Sequence, residues 1–113
     1  MEFTTDDVFA KVRRIIGDEV EPYRWEDEEL RENLQLALKR LNVRVPVTRY
    51  VGNDVVDYTE LPDETDAPIP VDAKHEEGLV YYVVYLCYSK DDPDTANAEL
   101  ANAYLAKAER LMV

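Results

Sequence analysis

The chain has 113 residues, of which 46% are apolar and 34% charged, so it has the length and composition of one folded domain. Its 13 Lys and Arg residues against 25 Asp and Glu residues give a net charge of -12, which disfavours nucleic-acid binding through a broad surface. The longest uncharged run, residues 78–89, is shorter than the roughly 20 residues that a transmembrane helix needs. We therefore expect a single domain over residues 1–113 and no membrane partner.

The cysteine content and the first residues of the sequence indicate the cellular compartment in which the chain is expected to fold. Cys87 is the only cysteine, so no internal disulfide can form. The segment after Met1 is acidic and lacks the apolar region of a signal peptide. Both features predict a protein of cytosolic origin.

Two helices are predicted in the first part of the chain. Thr4 is placed to cap the first helix and Gly17 to end it, while Phe3 and Val8 occupy the positions of a hydrophobic staple. The basic residues Lys11, Arg13 and Arg14 are expected on its outer face. A second helix is predicted over residues 27–42, where Trp25 can staple onto its first apolar residue and the apolar stripe is Leu30, Leu34, Ala37, Leu38 and Leu41.

The helical period disappears over about residues 43–71. Valines alternate with polar or turn residues there, and Gly52, Asn53 and Asp54 form a turn signal. Residues 51–77 contain nine acidic residues and one basic residue, Lys74, so most of the net negative charge falls in or beside this segment. It is predicted to be an extended acidic loop or a β-hairpin inserted between the second and third helices.

Two further helices are predicted in the last part of the chain. Asp72 can cap a third helix whose centre, residues 79–88, is apolar or aromatic on every face, so it should be buried on several sides. Asp92 and Pro93 mark the start of an alanine-rich fourth helix. The predicted fold class is mainly all-α, a four-helix bundle with a core that contains Trp25, Leu30, Leu34, Leu38, Val80, Val83, Val84 and Leu105.

Residue types that commonly carry catalysis are scarce. His75 is the only histidine and lies among charged residues, which predicts an exposed surface position, while Cys87 lies in the most apolar helix. The acidic clusters lack the spacing and the central glycine of a calcium loop. The three glycines are too far apart for a phosphate-binding loop. We expect no enzymatic activity, no cofactor and no metal.

Three segments carry a resemblance to a known family. They are RRIIGD at 13–18, YRW at 23–25 followed by EEL at 28–30, and YYVVYLCYSKD at 81–91 running into ANA at 96–98. In these segments the chain resembles the head-tail connector proteins of tailed bacteriophages, also called adaptor or head-completion proteins. Together they are spread along nearly all of the chain apart from the acidic insertion.

The resemblance implies a structural virion protein. Its subunits would form a ring, commonly a dodecamer in that family, that binds the portal protein and then a tail or nozzle protein after assembly in the host bacterial cytoplasm. DNA would pass through the ring without being specifically bound, and an acidic channel would suit that passage. The alternative is a small acidic protein that mimics DNA and inhibits a nucleic-acid-binding protein, which would need carboxylates along one continuous face.

Candidate interface residues follow from charge and from the excess of tyrosines. A core of this size cannot bury all the tyrosines of the third helix, so at least one should face a partner subunit. Arginines of the helices are expected to meet the acids of a neighbour. The subunit, portal or tail interface candidates are Arg13, Arg14, Arg40, Arg44, Arg49, Tyr82, Tyr88, Arg110 and Met112. The candidates for the acidic insertion and the channel are Asp54, Asp57, Glu60, Asp63, Glu64 and Asp66.

Overall fold

The computed structural model describes residues 3–44, 50–51, 54–55, 61–69, 71, 73–90 and 95–112. Within these residues the helices are α1 (Thr5–Ile16), α2 (Asp27–Arg44), α3 (Glu76–Lys90) and α4 (Thr95–Leu111), and a 3-10 turn (Ala73–His75) precedes α3. The prediction of a mainly helical bundle is confirmed. None of the described helices is long and apolar enough to cross a membrane.

Helix α1 begins and ends at the predicted residues. The Thr4 hydroxyl accepts a hydrogen bond from the backbone N–H of Asp7 at 3.1 Å, and the Asp7 carboxylate accepts one from the Thr4 N–H at 2.9 Å. This reciprocal capping satisfies two free donors of the first turn. Gly17 ends the helix with φ at +71°, a left-handed conformation that glycine adopts without strain.

Helix α2 begins at Asp27 as predicted and continues to Arg44, two residues beyond the predicted end. Its apolar stripe is wholly buried, and acidic residues fill its first turn, where the helix dipole favours negative charge. The side chain of Asn42 is buried as well and donates to the backbone carbonyl of Leu38 at 3.0 Å. Helix α2 therefore supplies one continuous wall of the core.

Helix α3 lies at the centre of the bundle and contacts α1, α2 and α4, which explains why it is apolar on every face. Val80, Val83 and Val84 are buried as predicted. The prediction was wrong for two of the core residues: Trp25 packs against the core from its edge, and Leu105 is half-buried outside it. The buried residues that α4 and its end contribute are Ala101, Ala108 and Met112.

The inserted segment is described in part. Tyr50–Val51 (β1) pairs antiparallel with Asp54–Val55 (β2), with Tyr50 opposite Val55. Residues 45–49, 52–53 and 56–60 lie outside the described residues, so the form of the insertion as a whole stays a prediction. The predicted helix starts at Asp72 and at Asp92 and Pro93 also lie outside them.

The last part of the insertion, residues 61–69, packs on the beginning of α1. Leu61 and Ile69 are buried at its two ends. The Ile69 N–H donates to the carbonyl of Phe3 at 2.9 Å, and the Asp6 N–H donates to the carbonyl of Thr65 at 3.0 Å. The turn between the two buried residues is therefore held in a defined position beside the first turn of α1.

Candidate functional site

Arg13 is a structural residue and does not lie on the outer face of α1, so its prediction as an interface residue was wrong. Its guanidinium contacts Asp18 at 2.9 Å and Asp27 at 2.7 Å and lies 3.8 Å from the centre of the Tyr23 ring. The Asp18 carboxylate also accepts hydrogen bonds from the backbone N–H groups of Arg24 and Trp25. Only 8% of the Arg13 side chain is exposed, because α1, the connection after it and the start of α2 close around it.

Arg40 and Arg44 both pair with Glu109 of the same chain. The Arg40 Nη2 lies 2.8 Å from Glu109 Oε1, and the Arg44 Nη1 lies 2.7 Å from Oε2. The hydrogen bond and the charge of Glu109 raise the pKa of Arg40. These pairs join the last turns of α2 to the last turns of α4. Both arginines stay partly exposed, so their role at an interface remains a prediction.

The other interface candidates, apart from the two tyrosines, divide into three groups. Arg14 and Arg110 are exposed, and Arg49 lies outside the described residues. Met112 was wrongly predicted as an interface residue, because 1% of its surface is exposed and it packs beside Gly78 in the core. A Cβ atom added at Gly78 would lie 3.4 Å from Met112 Cγ and 3.5 Å from Leu111 Cβ, so the end of α4 packs directly against α3 at this position.

Tyrosines cover much of the surface that α3 and α4 share. Tyr82 meets Tyr85 edge to face at 5.3 Å, and Tyr88 stacks on Tyr104 at 5.9 Å. Tyr81 lies 5.9 Å from the same Tyr104 ring. Burial raises the pKa of Tyr82, yet all five rings are only half-buried. Tyr82 and Tyr88 therefore remain candidates for contact with a partner, and Tyr104 joins them.

A cleft of about 220 Å³ opens between α1 and α3. Two basic side chains one turn apart on α1, Lys11 and Arg14, lie on its rim. Their spacing in the sequence is the signal that could have identified the site. We call this site the basic cleft, and its lining residues are Lys11, Arg14, Ile15, Glu77, Val80 and Tyr81.

The structure describes the side chains of only some of the acidic candidates. Asp63, Glu64 and Asp66 are exposed in the turn beside α1, which we call the acidic turn (residues 63–66). Asp54 contributes its backbone to β2, and its side chain lies outside the described residues, as do Asp57 and Glu60. Three of the six predicted acids are thus brought together on one anchored turn.

His75 and Cys87 are both buried. The prediction of an exposed His75 was wrong, because the 3-10 turn before α3 places this residue against the bundle with 2% of its surface exposed. The Nδ2 atom of the buried Asn33 lies 3.6 Å from Cys87 Sγ. In the described part of the chain, no group of three or more His, Cys, Asp or Glu side chains is arranged to hold a metal ion.

We expect the thiol of Cys87 to be unreactive in the folded protein. Burial raises its pKa from 9.0 to about 11, so very little thiolate is present near neutral pH. The rate of modification by a thiol-specific disulfide reagent at about pH 8 should rise strongly when guanidinium chloride unfolds the chain. Equal rates in the folded and unfolded chain would contradict the burial.

The pKa of Cys87 also predicts how stability depends on pH. The folded state holds the proton of the Cys87 thiol more tightly than the unfolded state does. The contribution of this buried thiol to the free energy of unfolding is therefore complete below pH 9 and declines as the pH rises towards 11. The difference in stability between the wild type and Cys87→Ala should follow that decline, whereas a constant difference would contradict it.

No protein-family model, curated protein or solved structure matches this chain.

Proposed function

We propose that this chain is a non-enzymatic subunit of a head-tail connector in the virion of a tailed bacteriophage. It assembles with copies of itself into a ring under the portal protein, completes the head after packaging and provides the surface to which a tail or nozzle protein attaches. The DNA passes through the ring. The proposal rests on the resemblance, and the fold and the surface chemistry below support it.

The observation that carries the proposal is the agreement between the three resembling segments and the structural elements. The first segment includes Gly17, which closes α1, and the second leads into α2 at Asp27. Residues 81–90 of the third segment lie in the central helix α3, which contacts the other three helices. The resemblance thus falls on the residues that define the bundle, and not on one isolated surface.

The surface also offers two unlike regions, which a ring requires. Subunits in a closed ring meet head to tail, so each must present two different patches that fit one another. The tyrosine-rich surface of α3 and α4 is largely aromatic, while the basic cleft and the acidic turn lie along α1.

The distribution of charge favours the connector over the DNA mimic. Exposed carboxylates of the described residues concentrate at both ends of α1: in the acidic turn at its beginning, and at Glu19, Glu21, Glu28 and Glu29 after its end. Lys11 and Arg14 lie between these two regions. A mimic needs one uninterrupted acidic face. The exposed acids around the start of α2 can instead face a channel that repels the passing DNA.

The proposal predicts an increase in the mass of a portal ring. We expect the portal protein encoded in the same genome to gain about 157 kDa on mixing with this chain, if twelve copies of 13.1 kDa bind. Mass photometry of the portal, with and without the chain, measures this directly. A DNA-binding protein of the same genome serves as the control. A portal whose mass does not change would overturn the proposal, and binding to the control instead would favour the mimic.

A further inference from the structure

We infer that the exposed face of α2 pairs antiparallel with the same face of a second copy of this chain. The pair has two-fold symmetry, so each end of the face meets the opposite end of the partner's face. Such a contact closes on two copies, whereas a ring needs contacts that run head to tail. The inference therefore concerns the free chain and does not depend on the proposed function.

The exposed face of α2 has the spacing of residues that pair helices. Its members follow one another at steps of three and four positions, and all of them are exposed. We call them the α2 stripe: Glu29, Glu32, Leu36, Lys39 and Val43. They lie on the side of α2 opposite its buried leucines, so the core of the chain leaves the stripe uncovered.

Two apolar side chains lie on the α2 stripe. Leu36, near the midpoint of α2, has 46% of its surface exposed, and Val43, two turns later, has 71%. A groove of about 460 Å³ opens beside Leu36 and Glu32. The groove leaves room for the partner's Leu36 on the two-fold axis, where both leucines are removed from water.

The order of charges along α2 identifies the partner as the same helix in the opposite direction. All four acidic residues of α2 lie within its first six positions, 27–32, where Arg31 is the one basic residue. Its other basic residues, Lys39, Arg40 and Arg44, lie within the last six positions, which contain no acid. A parallel copy would place like charges together. An antiparallel copy places each end against the opposite charge and also opposes the two helix dipoles.

Ion pairs within the chain leave enough charge for this contact. Glu109 contacts both Arg40 and Arg44, so one carboxylate faces two cations, and Lys39 makes no ion pair in the described part of the chain. The end of α2 therefore keeps a net positive charge. Glu29 and Glu32 are likewise without an ion pair among the described residues.

A two-fold axis at Leu36 brings these groups together. Lys39 of one copy then falls within one residue of Glu32 of the other, and Val43 falls opposite Glu29. Symmetry makes each contact twice. The net charge of -12 opposes association, but at about 0.15 M salt charges more than about 8 Å apart are largely screened, while these close pairs are not.

Substitution at the centre of the α2 stripe tests whether this face associates. In sedimentation velocity experiments, we expect Leu36→Glu to raise the dissociation constant of the dimer about tenfold or more, because it brings two like charges together on the axis. Leu100→Glu is the matched control, since it adds the same charge at a leucine of α4 that is 43% exposed. Circular dichroism checks folding, and Leu36→Ser with Leu100→Ser replaces this pair if Leu36→Glu does not fold.

Charge exchange tests the pair of Glu32 and Lys39. Glu32→Lys and Lys39→Glu should each weaken the dimer about tenfold, and the double variant should restore it. Glu32→Lys makes the net charge less negative, which by itself favours association, so a loss with this variant requires a specific contact. The double variant has the net charge of the wild type, so its recovery cannot come from general repulsion.

Oxidative cross-linking tests the direction of the pair. Leu36→Cys should form a disulfide with itself, because the two copies of this position meet on the axis. Val43→Cys should not, because its two copies lie about 21 Å apart along the antiparallel helices, but a mixture of Val43→Cys and Glu29→Cys should cross-link. The native Cys87 is buried and does not interfere.

Four results would overturn the inference. They are a wild-type chain that stays monomeric at millimolar concentration, a Leu36→Glu variant that associates like Leu100→Glu, a charge-exchanged double variant that is not restored, and a Val43→Cys variant that cross-links with itself. The proposed function fails separately. If the dimer behaves as expected but the portal gains no mass, the pairing of α2 stands and the connector role does not. If the portal gains mass while the free chain stays monomeric, the connector role stands and the pairing does not.

Discussion

Arg13→Met should lower the free energy of unfolding by about 3 to 5 kcal/mol, because it leaves the Asp18 carboxylate buried without its cationic partner. The Arg13 and Asp18 side chains are 8% and 10% exposed, so water cannot replace the lost contact fully. The contact with the Tyr23 ring is lost as well. Urea denaturation monitored by circular dichroism measures the change.

The neighbouring arginine provides the control for this prediction. Arg14→Met makes the same chemical change on the same helix, but Arg14 is exposed and unpaired in the described part of the chain, so its effect should stay within about 0.5 kcal/mol. The double variant of Arg13→Met with Asp18→Ala should cost less than the sum of the two single changes. Equal costs for the Arg13 and Arg14 substitutions would show that Arg13 is not buried in solution.

Leu34→Ala should lower the free energy of unfolding by about 3 to 5 kcal/mol, because it opens a cavity where α2 faces the core. Leu34 is fully buried, with 0% of its surface exposed. Leu36→Ala makes the same change two residues later on the same helix, where 46% of the residue's surface is exposed, and should cost less than about 1 kcal/mol. A similar midpoint of urea denaturation for both variants would contradict the assignment of the faces of α2.

The sequence by itself determined those features that depend on neighbours a few residues away. The Thr4 cap acts on a residue three positions later, and Gly17 ends α1 through its own backbone conformation. The apolar stripe of α2 repeats with the period of a helix, so both the helix and its buried face could be predicted. The segment that breaks this period could be located between two helices for the same reason.

Helix α3 shows the limit of such local signals. Because α3 is apolar on every face, its sequence has no alternation of polar and apolar residues that would indicate which side chains lie deepest. The structure buries Leu79, Val80, Val83, Val84 and Cys87 and leaves its four tyrosines half-buried, since α1, α2 and α4 approach it from different directions. The anchoring of residues 61–69 beside α1 likewise involves Phe3, far away along the chain.

Only the tertiary structure decided which polar and terminal residues are buried. The local sequence predicts that Arg13 lies on the outer face of α1. In the structure the carboxylate of Asp27, fourteen positions later, contacts its guanidinium, and the connection between α1 and α2 covers it. Met112 is buried because the end of α4 packs against α3 beside Gly78. His75 is buried although charged residues flank it. Burial depends on which distant segments pack against a side chain, and the local pattern around a residue does not contain that information.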